Sequence, residues 1–368
     1  MRIGAGWRHE RPTRYISPRF RTDRKTLKYL QTSLTSILLG CAFACAAVPA
    51  AEAKPTPPAA PRAVDNPEFL AFARELASDD GLDETGVLET LAKARVQQSI
   101  LDAISRPAEA KPWKDYRPIF LTDKRIADGA AFYRDNRALI ERAANEFNVA
   151  PEIIVAIIGV ETSYGRNVGK YRVLDALVTL AFHYPPRAKF FRGELRQLFL
   201  LGDAHLAYPI DELMGSYAGA MGWGQFIPTS VAHYARDYDG DGRIDLWNSL
   251  PDIVGSVANY FAAHGWVSGA PVASRALVAQ DAQAPELKGM EPIHTVAHLK
   301  SLGYVSADEV DDATEATVLT LEGIAGSEPW LTFRNFYVIS RYNRSPLYSM
   351  AVWQLSQQIA AEVAKTAP

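Results

Sequence analysis

The chain has 368 residues, 48% hydrophobic and 22% charged, with a formal net charge of -3; this is ordinary globular material with room for two or three domains. The charge is unevenly placed, since residues 1–53 hold nine Arg and Lys against three acids, leaving 30 basic and 39 acidic residues in the remainder. An acidic body without a basic footprint argues against nucleic acid as a partner.

Basic residues end at Lys28, residues 30–48 are moderately apolar, and Ala51-Glu52-Ala53 offers small residues at a cleavage site, so residues 1–53 read as an export signal. The apolar stretch is too short and too rich in Ser and Thr for a spanning helix, which makes a transmembrane anchor the weaker reading. Both cysteines, Cys41 and Cys45, lie in this segment. Cleavage after Ala53 leaves a mature chain without disulfide, thiol nucleophile or thiolate metal site. Leu38-Leu-Gly-Cys41 also resembles a bacterial lipoprotein signal, in which Cys41 carries lipid and anchors the chain to the outer membrane. A soluble exported form stands beside that reading.

Residues 54–64 form a Pro/Ala-rich linker. Helices are then expected from Asn66-Pro67-Glu68, carrying Phe69, Phe72 and Leu76, from Asp83-Glu84, carrying Val87 and Leu91, and over residues 96–104. Trp113, Tyr116 and Phe120 fall in a Pro-flanked connector. Residues 127–147 repeat apolar side chains at helical spacing, completing a helical domain over 65–150.

The stretch from Ala150 to Arg166 organises the rest. Pro151 suits the first position of a helix, and Ile153, Ile154, Val155, Ile157, Ile158 and Val160 make the run apolar on every side, hence buried. Six β-branched residues also suit a buried strand, and periodicity does not separate the two. The run delivers Glu161 into a Thr-Ser-Tyr-Gly turn. A carboxyl at the C-terminal end of a buried helix is partly desolvated and faces the negative end of the dipole, and both favour its neutral form. That is how a general acid is made at neutral pH; the plain alternative is a solvated Glu closing an apolar run.

Residues 174–182 and 190–201 read as further helices, and Arg187, Lys189 and Arg192 between and within them as solvated surface. The loop Gly215-Ser-Tyr-Ala-Gly-Ala-Met-Gly-Trp-Gly-Gln-Phe-Ile-Pro-Thr-Ser230 follows, with glycines that let backbone come close to another chain or a ligand. Asp237-Tyr-Asp-Gly-Asp-Gly-Arg-Ile-Asp-Leu-Trp-Asn248 places oxygen ligands at the first, third, fifth and ninth positions, a carbonyl at the seventh and Gly242 at the sixth. This matches a calcium loop of the EF-hand kind, except that Asn248 stands where a bidentate Glu is usual; without metal it is an acidic turn. Residues 253–264 form a helix holding Tyr260. Between 269 and 332, short β-like runs at 274–278 and 316–321 surround a helix near 297–302, which indicates a small inserted α+β subdomain. A last segment, 333–368, ends in a helix over 348–363. The fold class is mainly α, within α+β. Tyr116, Trp223, Tyr260, Tyr337 and Tyr342 stand next to short polar loops, as a sugar-binding groove needs, and would serve equally as core.

Ile157-Ile-Gly-Val-Glu-Thr-Ser-Tyr-Gly-Arg166, the Gly-rich loop, the Asp-rich loop, Val257-Ala-Asn-Tyr-Phe-Ala-Ala-His-Gly-Trp266 and Asn335-Phe-Tyr-Val-Ile-Ser-Arg-Tyr-Asn343 together resemble the bacterial lytic murein transglycosylase B family. The likeness runs from about Asp65 to the terminal helix. It implies a lysozyme-like core over 151–268, an N-terminal helical domain, the small β-containing subdomain, and a C-terminal segment returning to the core. It also implies action on peptidoglycan glycan strands; with the export signal, the expected setting is the periplasm, and the expected state a monomer. By the resemblance, Glu161 is the lone catalytic acid/base, and Tyr116, Ser216, Gln225, Tyr260, Tyr337 and Tyr342 line the glycan groove. Asp237, Asp239, Asp241 and the Arg243 carbonyl would hold calcium, with Asp252 completing the shell; the sequence departs from the family by one extra residue before Asp252. Ordinary glycosidases set two carboxylates across the scissile bond, and no second acid stands out in these motifs. Glu194, Asp203 and Asp175 lie on other elements and read as structural. A lone carboxyl suits a transglycosylase, which leaves a 1,6-anhydromuramyl end and consumes no water. A muramidase cutting the same bond, and a non-catalytic calcium-dependent envelope scaffold, are the competing readings.

Overall fold

The computed structural model describes residues 66–105 and 111–365; the expected export signal with Cys41, and the linker at 54–64, lie outside the described residues. Helix α1 (Pro67–Asp80) begins where the Asn66 side chain accepts from the Glu68 N–H, with proline at the first position, and ends on Gly81 at φ 73. Asp83 caps α2 (Glu84–Ala92) in the same way, and α3 is Gln98–Ser105. The expected connector around Tyr116 is instead a helix, α4 (Trp113–Phe120). Pro118 removes one hydrogen bond there, and burial of Trp113, Tyr116 and Phe120 offsets it. The long run after it divides into α5 (Asp123–Asp135) and α6 (Arg137–Phe147). Asn136 makes the break, its amide donating to the Phe132 carbonyl at the end of α5.

The apolar stretch is helix α7 (Pro151–Thr162), with every residue from Ile153 to Val160 buried. Its β-branched content suits a strand locally, but α5, α6, an eleventh and a fourteenth helix pack around it, and that burial decides the outcome. The chain continues through β1 (Tyr171–Arg172), α8 (Val173–His183), a 3-10 turn at Pro185–Arg187, α9 (Ala188–His205), β2 (Met214–Gly215), α10 (Pro228–Tyr234) and α11 (Leu250–Ala263). Next come β3 (Ala273–Val278), β4 (His294–Thr295), α12 (Val296–Ser301), β5 (Tyr304–Ser306), β6 (Glu315–Gly323) and β7 (Gly326–Phe333), and the chain closes with α13 (Arg334–Tyr342) and α14 (Pro346–Lys365).

The helices build two cores. One joins α4 to α7 with α11, α13 and α14; the other joins α1 to α3 with α8, α9 and α10. The helices between 66 and 150 therefore contribute to both. The five strands β4-β6-β7-β3-β5 form an antiparallel sheet with its own small core against α12. Pro329 lies inside β7, opposite Thr320 of β6 and one residue outside the 330–332 stretch that pairs with β3. The result is mainly α with a small sheet. Among the described residues no single helix is long and apolar enough to cross a membrane.

Candidate active site

The end of α7 is built from three successive left-handed residues, Ser163 (φ 52), Tyr164 (φ 59) and Gly165 (φ 80). Two of them have side chains and are uncommon in that region, so neighbouring groups must hold the turn. Ser163 and Tyr164 donate backbone N–H groups to the carbonyls of Gly159 (3.1 Å) and Ile158 (3.3 Å). Thr162 Oγ1 accepts from the Gly165 N–H (3.1 Å) and lies 3.1 Å from the Trp223 carbonyl, tying the turn to the Gly-rich loop. Arg125 Nη2 donates to Ser163 Oγ (3.0 Å), and the Tyr164 hydroxyl donates to the Arg125 carbonyl (2.9 Å). A Cβ on Gly165 would overlap the Trp223 indole, and one on Gly129 or Gly159 would meet the Tyr164 hydroxyl; only glycine lets these rings close on the turn.

Glu161 is the half-buried member of this otherwise buried helix end. Its Oε1 accepts from the Tyr348 hydroxyl at 2.6 Å. Burial pushes its carboxyl up to about 7, and the Tyr348 hydrogen bond, which favours the anion, pulls the other way. Neither influence is another carboxylate. Tyr116, Tyr342 and Tyr348 feel the Glu161 charge in turn: burial first, and that charge second, raise all three phenols, so they stay neutral.

Of the residues expected to line the glycan groove, Tyr116 on α4 and Tyr342 on α13 come close enough to Glu161 to feel its charge. The Tyr342 hydroxyl donates to the Gly224 carbonyl (2.6 Å), and its ring lies 4.6 Å from Tyr260. Tyr260 stacks on His264 at 4.1 Å, donates to the Arg341 carbonyl (2.7 Å) and is 6% exposed. Ser216 Oγ accepts from the N–H groups of Ala218 (3.3 Å) and Ala220 (3.0 Å), and Gln225 Nε2 donates to the carbonyls of Val168 (3.2 Å) and Gly222 (2.9 Å). Ser216 thus braces the Gly-rich loop from within, and Gln225 ties it to the segment that follows Glu161. Tyr337 is placed differently: the guanidinium carbons of Arg334 and Arg341 lie 5.6 and 5.7 Å from its ring centroid. The residue that sequence reasoning missed is Tyr348. It sits 187 positions from Glu161, at the start of an apolar helix where local pattern offers only core.

Glu194 is another carboxyl lifted to about 7, again by burial. Both of its oxygens are taken by the Thr229 hydroxyl and N–H, so it joins α9 to α10. Asp175 binds Arg172, the Arg95 N–H and Gln97, and Asp203 accepts from the Ile210 N–H. Each of these acids is engaged by groups of the fold itself.

In the Asp-rich loop the carboxylates of Asp237, Asp239 and Asp252 come together, with ligand oxygens within 4.8 Å of one another. Asp241 is not among them; its carboxylate accepts from the Arg243 N–H (2.8 Å). Asp252 is held from the N-terminus of α11 by the N–H groups of Tyr238 (2.7 Å) and Asp245 (2.8 Å). Burial first raises its pKa, and Asp239 adds to the rise. Three convergent carboxylates, one of them buried, repel one another and make an all-oxygen set that fits a hard divalent cation.

Residues 65–357 match the family model for the transglycosylase SLT domain. The chain is similar to membrane-bound lytic murein transglycosylase B of Escherichia coli (strain K12), 40% identical over 307 residues, which cover 80% of this chain and 83% of that protein. Among solved structures it is similar to catenated lytic transglycosylase SltB1 from Pseudomonas aeruginosa, at 46% identity and TM-score 0.77, covering 81% of this chain and 98% of that one. It is also similar to the Escherichia coli lytic transglycosylase Slt35 in complex with calcium, at 40% identity and TM-score 0.73, covering 82% and 95%.

Proposed function

The chain belongs to the transglycosylase SLT-domain family, and on that premise we propose that Glu161 alone performs both proton transfers of a lytic cleavage of peptidoglycan. As the neutral acid it gives its proton to the oxygen linking N-acetylmuramic acid to N-acetylglucosamine, and the bond from that oxygen to the muramyl anomeric carbon breaks. As carboxylate it then takes the proton of the muramyl 6-hydroxyl, whose oxygen bonds to the same anomeric carbon, while the acetamido group supports the positive charge meanwhile. One C–O bond is broken and one formed, no water enters, and the product ends in 1,6-anhydromuramic acid. The observation that carries this reading is the state of Glu161: a carboxyl near 7 whose two perturbing influences are burial and Tyr348. Hydrolysis by the usual pair would need a second carboxylate acting beside it.

Tyr116, Ser216, Gln225, Tyr260, Tyr337 and Tyr342 are proposed to border the glycan, with Tyr260 and Tyr342 as walls, because their hydroxyls are already engaged with backbone. Calcium is proposed at Asp237, Asp239 and Asp252, with Asp241 and the Arg243 carbonyl turning in on binding, and its part is to hold the loop against α11. The calcium complex of Slt35 supports that choice of ion. The proposed setting is the periplasm, either anchored to the outer membrane through lipid on Cys41 or soluble, as a monomer. The division into helical domain, core, small subdomain and returning C-terminal segment is part of the same proposal.

Mass spectrometry of digested sacculi tests the reaction. Wild type should release anhydro-muropeptides, and Glu161→Gln should release none while still binding glycan. Products heavier by one water would make the protein a muramidase, and an envelope function that survives the substitution would make it a scaffold.

A further inference from the structure

Away from Glu161, the outer side of α4 faces the β6–β7 hairpin and α14 across a cleft of about 280 Å³. Its floor is Trp330, 6% exposed, fixed by a T-shaped contact with Trp353 at 5.5 Å and by the Arg275 guanidinium 4.3 Å above its face. The Trp330 indole N–H is buried and has no acceptor in the protein, a state that native structures seldom leave unanswered. The charges around it do not cancel. Lys114 pairs with Glu322 (2.6 Å) and Arg275 with Glu328 (3.0 Å), whereas Arg117 donates to the neutral amide oxygen of Gln354 (2.9 Å). At the rim Ile324, on the hairpin tip, is 88% exposed.

We propose that this cleft is a second binding site, one that takes the C-terminal carboxylate of a peptide whose last side chain is small and apolar. One uncompensated guanidinium asks for one negative charge, and its planar fork matches a carboxylate. The indole N–H, closed off from solvent as it stands, gains an acceptor when a ligand oxygen presses in beside it. Glu322 and Glu328 at the border would repel a more highly charged anion such as phosphate. Ile324 and Pro118 offer apolar surface that a methyl-sized side chain covers, and the volume accommodates a residue or two rather than a sugar chain. Peptides carried by a peptidoglycan strand are one source of such an end. The site also bears on the reaction centre, because α4 turns Tyr116 toward Glu161 from its inner face and Arg117 outward into the cleft.

Calorimetric titration with acetyl-D-alanyl-D-alanine, and with its C-terminal amide, tests the site on the full protein. The acid should bind one to one, with the amide at least about tenfold weaker, because a charge-assisted hydrogen bond is lost. Arg117→Gln should weaken the acid by about the same factor, and Trp330→Phe, which keeps the ring and removes the donor, by several-fold. Both variants should cleave peptide-free glycan strands as wild type does, and Glu161→Gln should bind the peptide unchanged, so that loss of one reading is told apart from loss of the other. Equal binding of acid and amide, absence of binding at about 10 mM peptide, or a folded Arg117→Gln variant with wild-type affinity would each overturn the proposal.

Discussion

Replacing Glu161 by Gln should abolish turnover and at the same time stabilise the protein, by an amount that depends on pH. Burial lifts this carboxyl from its ordinary 4.5 to about 7. Below the lower value both folded and unfolded chains hold the proton and the shift costs nothing. Between the two values the folded chain holds more proton than the unfolded one, so stability falls as pH rises; above about 7 the full cost is present. At 1.36 kcal/mol per pKa unit the cost has a ceiling of about 3 kcal/mol, and the partial exposure of Glu161 brings the working figure to about 1–3 kcal/mol. Gln carries no such cost and keeps an oxygen for the Tyr348 hydroxyl. With about 2.1 cal/mol/K per residue over about 300 folded residues, each kcal/mol corresponds to about 1.6 °C. Scanning calorimetry should therefore find the variant about 2–5 °C above wild type near pH 8 and equal to it near pH 4. Glu194 and Asp252, also raised, are common to both proteins and cancel in the difference. A difference that stays flat with pH would show that this carboxyl is not desolvated, and anhydro-sugar ends released by the variant would remove it from the chemistry.

The remaining predictions concern what holds that carboxyl in place. Tyr348→Phe removes the hydrogen bond that favours the Glu161 anion, so the alkaline limb of the pH–rate profile should move to higher pH and stability should fall by about 1 kcal/mol; a limb that moves down would contradict the assignment. Gly165→Ala forces a side chain into a left-handed position and onto the Trp223 indole, which should lower kcat and cost about 1–3 kcal/mol; a variant that melts like wild type would refute the packing argument. Calcium added to chelated protein at about one hundred times its dissociation constant should stabilise by about 2.7 kcal/mol, and Asp237→Asn should lose that response. Chelation that stops turnover without lowering the melting temperature would give the ion a chemical role instead.

The central helix was legible because its start is marked by Pro151 and because an apolar run ending in one acid has few uses. What local pattern left open, helix or strand, was settled by helices from distant parts of the chain. The connector around Tyr116 was misread because Pro112 and Pro118 are breakers in isolation; burial of Trp113, Tyr116 and Phe120 overrides them. Strand β7 was hidden by Pro329 in the same way. At the site, Glu161 and the Asp-rich loop announce themselves by residue type. Tyr348 does not, because a tyrosine in an apolar helix looks like core until the fold brings a carboxylate within 2.6 Å of its hydroxyl. Tyr337 is legible only as an aromatic beside polar residues; that two arginine guanidiniums lie against its ring emerges from the fold.

The surroundings of Glu161 also bear on why one acid would suffice for the proposed reaction. Tyr116, Tyr342 and Tyr348 approach it from α4, α13 and α14, and their phenols are pushed above their ordinary range, so at neutral pH they are uncharged walls and donors, never bases. A group near 7 is populated in both forms around neutrality, which lets it give a proton in one half of the reaction and take one in the other at little cost in either direction. A second carboxylate at this distance would repel the anion and drive the carboxyl further up, making it a better acid and leaving the base step to the newcomer. Neutral phenols in that position would leave Glu161 as the base as well in the proposed reaction. In the proposed reaction the hydroxyl that such a base serves would already have to lie beside the anomeric carbon, and the sugar's own 6-hydroxyl meets that condition without having to be bound.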